Sequence, residues 1–279
     1  MASTFAPFST RLVEEYRRAF PDVEFTTVET ATTQVLGKLQ NGELDLGVAF
    51  ANEAYETHVN QSNTTGDESR LRGISLLQPL PLYLLVRGGL SIQSPAQLTG
   101  RTVAAGPPNS SSWALAKTVL TTFGAEPLAV KALSTREAAA AGLRDGSLDA
   151  VFLPGYVYPD EVMRTAISDG AHLSPIEGEP VQELRRDLPF VRNVIVPRDI
   201  YPGQDRLVPT VGLDIMIVCR RDLDETLVFR LTEQLFKVLP LIAGTEATMR
   251  LMNLEEAPAT PVPLHTGAMR YFRQRELSR

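Results

Sequence analysis

One cysteine, three histidines and no surplus of basic residues mark what is scarce in this 279-residue chain. The lone thiol, Cys219, cannot close an internal disulfide, and within DIMIVCRRD it reads as a small buried core residue rather than a reactive group. A formal charge of −6 offers nucleic-acid phosphates no basic face. No apolar run approaches the roughly 18–20 residues of a membrane span, so a membrane-embedded protein is excluded. The opening MASTFAPFSTRLVEEYRRAF lacks the basic start, apolar centre and cleavage pattern of a secretory signal.

Familiar enzymatic constellations are missing as well. There is no G-x-S-x-G elbow, no H-E-x-x-H and no paired cysteines. His58, His172 and His265 are scattered and read as surface or turn histidines rather than metal ligands. The glycines nowhere take the Rossmann spacing, and no Lys-Ser/Thr follows a glycine loop as a phosphate loop requires. No cofactor, metal or catalytic residue is expected.

What remains is ordinary globular material, 43% hydrophobic and 22% charged, enough for one large domain or two lobes. Helix and strand signals alternate, which predicts an α/β fold with a largely parallel sheet. RLVEEYRRAF sets Leu12, Tyr16 and Phe20 at helical spacing before Pro21 stops it. VEFTTVE alternates like a strand, and the polar YETHVNQSNTTGDESR reads as a surface loop. ISLLQPLPLYLLVRGG and VGLDIMIVCRR are long extended segments. Between them lie a strand at Arg101–Ala105, a helix from about Ser112 to Phe123, and strands in HLSPI and FVRNVIVP. Capping-box spacing predicts helix starts at Ser134 with Glu137 and at Asp222 with Glu225, and Pro159 suits the first turn of a third helix.

One phrase is written twice, KLQNGELDLGVAF at 38–50 and GLRDGSLDAVFLP at 142–154. Each predicts a helix, a left-handed glycine cap (Gly42, Gly146) and a buried strand. Asp45 and Asp149 then fall at the strand's start, where a turn-stabilising role is expected. Ligand sites of parallel sheets gather at the opposite, carboxyl ends. These ends are Phe50-Ala51-Asn52 and Pro154-Gly155-Tyr156, and the turn Gly106-Pro107-Pro108-Asn109-Ser110-Ser111-Ser112 opens a helix nearby. A helix N-terminus with hydroxyls and no lysine suits a carboxylate better than a triphosphate. The alternative is a plain helix cap.

LQNGELDLGVAF, PLPLYLLVRGG, LTGRTVAAGPPNSSS, LRDGSLDAVFLPG, IYPGQDRLVPTVGLD and PLHTGAMRYFR together resemble, in order along the chain, the TAXI-type solute receptors of TRAP transporters. The resemblance implies a bilobal periplasmic-binding-protein type II fold, with residues 1–86 plus 216–279 in one lobe and 87–215 in the other. It implies a monomer in the periplasm that takes a small carboxylate, glutamate or a related acid, in an interlobe cleft and delivers it to a TRAP-type membrane permease. Carried over by position, the ligand loops hold Thr4, Phe5 and Phe8; Thr32 and Thr33; Phe50 and Asn52; Asn109, Ser110, Ser111 and Ser112; and Pro154, Gly155 and Tyr156. Thr4 and Phe5 replace the family's usual Gly and Tyr, Thr32 a Ser, Phe50 a common Gln and Asn52 a frequent Asp. A signal sequence and a first core strand are expected upstream of Met1. A cytoplasmic ligand-sensing module and an enzyme on the same scaffold remain as alternatives.

Overall fold

The computed structural model describes residues 6–28, 30, 32–65, 69–155, 160–245 and 254–277. Its first half runs α1 (Ala6–Ala19), α2 (Thr32–Asn41), β1 (Leu46–Phe50), α3 (Ala51–Thr65), β2 (Leu71–Val86), a 3-10 turn (Pro95–Leu98), β3 (Thr102–Ala105), α4 (Ser111–Thr122) and β4 (Ala129–Ala132). There follow α5 (Arg136–Asp145), β5 (Ala150–Pro154), α6 (Glu161–Ser168), β6 (His172–Ser174), α7 (Glu179–Asp187), β7 (Val191–Val196), β8 (Val208–Arg220), α8 (Glu225–Thr245) and α9 (Thr266–Leu277). The fold is mixed α/β and divides into two compact units, Met1–Gln78 with Asp214–Arg279, and Pro79–Leu213. The long strands β2 and β8 each contribute to both.

In the first unit β1 pairs antiparallel with β8, Leu46 opposite Cys219 and Phe50 opposite Ile215. Its core joins Phe8, Leu12 and Tyr16 of α1 to Val228, Leu231 and Leu235 of α8 and to Ile215 and Ile217 of β8. The Tyr16 hydroxyl donates to the Leu231 carbonyl at 3.1 Å, so the one polar atom of that ring is satisfied inside the core. Cys219 is fully buried, and burial pushes its thiol up to about 12, which makes it an inert core residue. In the second unit β3 is flanked by β4 and β5, parallel to both, and β5 pairs antiparallel with β2, Leu82 opposite Pro154. Two further antiparallel pairs, β6 on β2 and β7 on β8, complete it. Its core gathers Tyr83, Leu85, Leu143, Val151, Leu153 and Met163.

The doubled phrase folds twice in the same way. Gly42 (φ 76°) ends α2 and Gly146 (φ 82°) ends α5, both in the left-handed region that a Cβ disfavours. Each strand is then preceded by an aspartate facing an arginine at the end of a long antiparallel strand. Asp45 meets Arg220 at 3.1 Å, and Asp149 meets Arg87 at 2.9 Å. The backbone repeats the pairing: Arg220 N–H donates to the Asp45 carbonyl at 3.1 Å, and Arg87 N–H to the Asp149 carbonyl at 2.9 Å. Asp149 also accepts the Thr102 N–H at 3.0 Å. Burial alone would raise its pKa; the Thr102 N–H and the Arg87 guanidinium outweigh that and hold it below the ordinary 3.8.

Several expectations fail locally. Residues 23–28 of VEFTTVE form no strand. Val23 and Phe25 still pack onto the first core, while the Phe25 carbonyl is taken by Arg17 Nη2 at 2.7 Å instead of by a ladder. The polar stretch after β1 is the helix α3, not a loop. Among its described side chains only Ala51, Asn52 and Ala54, in the first turn, are buried, too small an apolar face to read as amphipathic. Both capping boxes slip: Thr135, not Ser134, caps α5 by accepting the Ala138 N–H at 3.2 Å, and Asp224, not Asp222, accepts the Leu227 N–H at 2.8 Å. Asp222 instead pairs with Arg220 at 3.3 Å. His265 is a buried residue rather than a surface one; its Nδ1 accepts the Gly267 N–H at 3.2 Å at the start of α9. Helix α7 and strand β4 are additional elements, and Pro159 lies outside the described residues.

Candidate functional site

In the second unit the carboxyl ends of three parallel strands lead into the features the sequence singles out. β3 ends at Ala105 and turns through Gly106 to α4. The Ser110 side chain caps that helix, accepting the Trp113 N–H at 3.2 Å. The same hydroxyl donates to the Pro107 carbonyl at 2.7 Å and lies 3.1 Å from the Ser112 hydroxyl. Asn109 takes φ 65°, a left-handed conformation that asparagine tolerates and that folds the turn tightly over the helix start. Ser111 is buried, while Ser110 and Ser112 are partly exposed. Gly106 is buried, and a Cβ there would stand 2.7 Å from the Ser112 Oγ and 3.4 Å from the Ser110 Oγ. Two hydroxyls therefore converge beside a backbone bare of side chain, at the end of a helix whose first N–H groups carry positive partial charge. The plain-cap reading holds for Ser110; it leaves Ser112 and Gly106 unexplained.

β5, the parallel neighbour of β3, ends at Pro154 beside this turn. Gly155 continues the pairing, its N–H donating to the Pro81 carbonyl at 3.0 Å, and the Tyr83 ring occupies the space its Cβ would need, 2.9 Å away. Arg136 is a functional candidate that sequence reasoning passes over. It stands in the first turn of α5, where a cation opposes the helix dipole. Arg136 Nη1 donates to the Pro154 carbonyl at 2.6 Å, and Nη2 sits 3.0 Å from Asp160 Oδ2. Asp160 in turn caps α6 through the Met163 N–H at 2.9 Å. The visible signal was a basic residue between the two members of an expected capping box.

In the first unit, Phe50 closes β1 half-buried and Asn52 is buried in the first turn of α3. Because Phe50 faces Ile215, the strand end comes level with Asp214 of β8, which is 3% exposed. Gln78, also 3% exposed, lies at the end of this unit's part of β2. Phe8 packs into the core of the same unit. The side chains of Thr32 and Thr33 at the start of α2, and the whole of Thr4, Phe5 and Tyr156, lie outside the described residues. Among the described residues no group of histidine, cysteine, aspartate and glutamate is placed to hold a metal ion, and no helix is long and apolar enough to cross a membrane.

The model of the NMT1-like family matches residues 11–275, nearly the whole chain. The protein belongs to the NMT1-like family. Among solved structures, this NMT1-like chain is similar to XAC2383 from Xanthomonas citri bound to ATP, at 14% identity and a TM-score of 0.52, over 94% of this chain and 89% of that one. The chloride-bound form of XAC2383 matches at 15% identity and 0.51, over 96% and 88%. The periplasmic aliphatic sulphonate binding protein SsuA from Escherichia coli is similar at 18% identity and a TM-score of 0.46, over 96% of this chain and 70% of that one. At these identities the likeness to XAC2383 establishes the fold of this NMT1-like protein.

Proposed function

We propose that this protein is a non-catalytic, extracytoplasmic solute-binding protein. It captures a small organic acid or amino acid through its carboxylate and hands it to a membrane permease of the TRAP type. The observation that carries the reading is the turn from Gly106 to Ser112, where a bare glycine, two converging hydroxyls and a helix N-terminus meet at a strand's carboxyl end. Such a turn favours an anion without offering it a full positive charge, which suits a ligand that must later be released. The order of sequence motifs along the chain supports the transport role and the TRAP-type partner.

The test is a thermal-shift screen of amino acids, dicarboxylates and 2-oxo acids, followed by calorimetry on any compound that responds. A ligand present at one hundred times its Kd adds about 2.7 kcal/mol of stability. Ser112→Ala is expected to weaken binding about tenfold while the unliganded Tm stays within a degree or two, since Ser110 keeps the cap. A well-folded protein that responds to none of these acids sinks the proposal.

A further inference from the structure

We infer that Arg136 is the charged contact of the anion site, and that Asp160 is an internal carboxylate which the ligand displaces from it. The inference rests on the solute-binding reading above and deepens it by naming the residue that supplies the charge. All of its parts lie in the second unit, at the carboxyl ends of β3, β4 and β5. Leu133, one residue past β4, donates its N–H to the Ala105 carbonyl at 2.8 Å. Helix α5 therefore starts beside the strand end that Gly106 leaves. Three residues after Leu133, Arg136 Nη1 donates to the Pro154 carbonyl of β5 at 2.6 Å. The guanidinium is thus anchored at the end of β5, the parallel neighbour of β3 and its serine turn.

A cation in the first turn of a helix opposes the dipole, so Arg136 does not serve α5 itself. Its counter-ion is Asp160, 3.0 Å from Nη2, and the two side chains are 34% and 27% exposed. Partly exposed pairs of this kind hold together weakly. The contact is close but not aligned. Nη2 is shielded from water and makes no hydrogen bond, whereas buried polar atoms nearly always make one. Its N–H donors are therefore unengaged. Asp160 also has a separate role, because its Oδ1 caps α6 through the Met163 N–H at 2.9 Å. It can lose the arginine and keep its place. A carboxylate seated at the turn can take two parallel N–H groups of the guanidinium, the geometry in which such a pair is strongest. The exchange replaces one carboxylate by another, which moderates affinity and keeps the ligand releasable.

The experiment is calorimetry on the full chain, the unmodified protein against Arg136→Gln, Asp160→Asn and the double variant. The probes are the amino acids, dicarboxylates and 2-oxo acids of the screen above, beginning with L-glutamate, glutarate and 2-oxoglutarate. Asparagine caps a helix about as well as aspartate, so Asp160→Asn keeps α6 and removes only the competing charge. For any acid that binds, Arg136→Gln is expected to weaken binding about tenfold or more. Asp160→Asn is expected to strengthen it about threefold. In the Arg136→Gln background, Asp160→Asn is expected to change nothing. A gain that persists there comes from the removed charge alone and overturns the inference. Unchanged or weakened binding in Asp160→Asn, the result of a plain staple between α5 and α6, also overturns it. Both outcomes leave the solute-binding reading standing. Binding of none of the acids removes both readings together. Should Arg136→Gln fail to fold, the direction of the change in Asp160→Asn still decides.

Discussion

A Cβ on Gly106 would stand 2.7 Å from the Ser112 hydroxyl, closer than real Cβ contacts come, so Gly106→Ala must push the serine aside. Overpacking of this kind costs about 1–3 kcal/mol. The expected outcome is a folded protein with a lowered Tm and at least tenfold weaker binding of whichever acid responds. Unchanged affinity would show that the space beside Gly106 is not used by ligand. His265 makes a different residue-scale prediction. Its Nδ1 accepts the Gly267 N–H, and burial, the largest influence, lowers its pKa below 6.5. Facing carbonyls of Arg221 and Leu223 pull the other way, as does Glu225, while Arg72 adds to the lowering. The folded state thus binds the proton less well than the unfolded chain does. Its contribution to stability is complete above pH 6.5 and is lost as pH falls through that value toward the folded pKa. Denaturant melts at pH 7.5 and 5.5 are expected to show a larger loss for the natural protein than for His265→Gln. Equal losses would show that another group sets the acid limb.

At the scale of elements, the doubled phrase carries two aspartates in one role but at different depths. Asp149 is 18% exposed with an arginine and a backbone N–H as partners, whereas the Asp45 side chain is 70% exposed. Hydrogen bonds to a charged group contribute about 1.5–3 kcal/mol when shielded, and exposed ion pairs often nothing measurable. Asp149→Asn is therefore expected to cost about 1–3 kcal/mol in urea denaturation, and Asp45→Asn to be indistinguishable from the parent. The Asp149 contribution is full above pH 3.8 and is lost as pH falls through its lower folded pKa. These bricks were legible in sequence because a helix period, a left-handed glycine and a strand are all local signals. What was not legible depended on partners far along the chain. Residues 23–28 have the alternation of a strand, but alternation does not supply a ladder. Helix α3 has so small a buried face that its composition resembles a loop. The caps of α5 and α8 slipped by one and two residues because several side chains nearby could serve, and geometry selected Thr135 and Asp224. The Ser-rich turn could be read from a short stretch; Arg136 could not, since it acquires its meaning only from the neighbouring strand end at Pro154.

For the molecule as a whole, the two units differ in how the chain supplies them. Pro79–Leu213 is one continuous stretch, while the other unit needs both ends of the chain. The continuous unit keeps its ladders when isolated: Leu82–Val86 of β2 on β5, and Val208–Leu213 of β8 on β7. Among the described residues, its core cluster, from Tyr83 to Tyr201, lies wholly within it. By contrast, Phe8, Leu12 and Tyr16 are covered by Val228, Leu231 and Leu235 of the distant α8. A fragment of residues 79–213 is thus expected to fold alone and melt cooperatively, and one of residues 1–78 to stay unfolded, exposing an apolar face it cannot bury. Circular dichroism and thermal melts of the two fragments decide this.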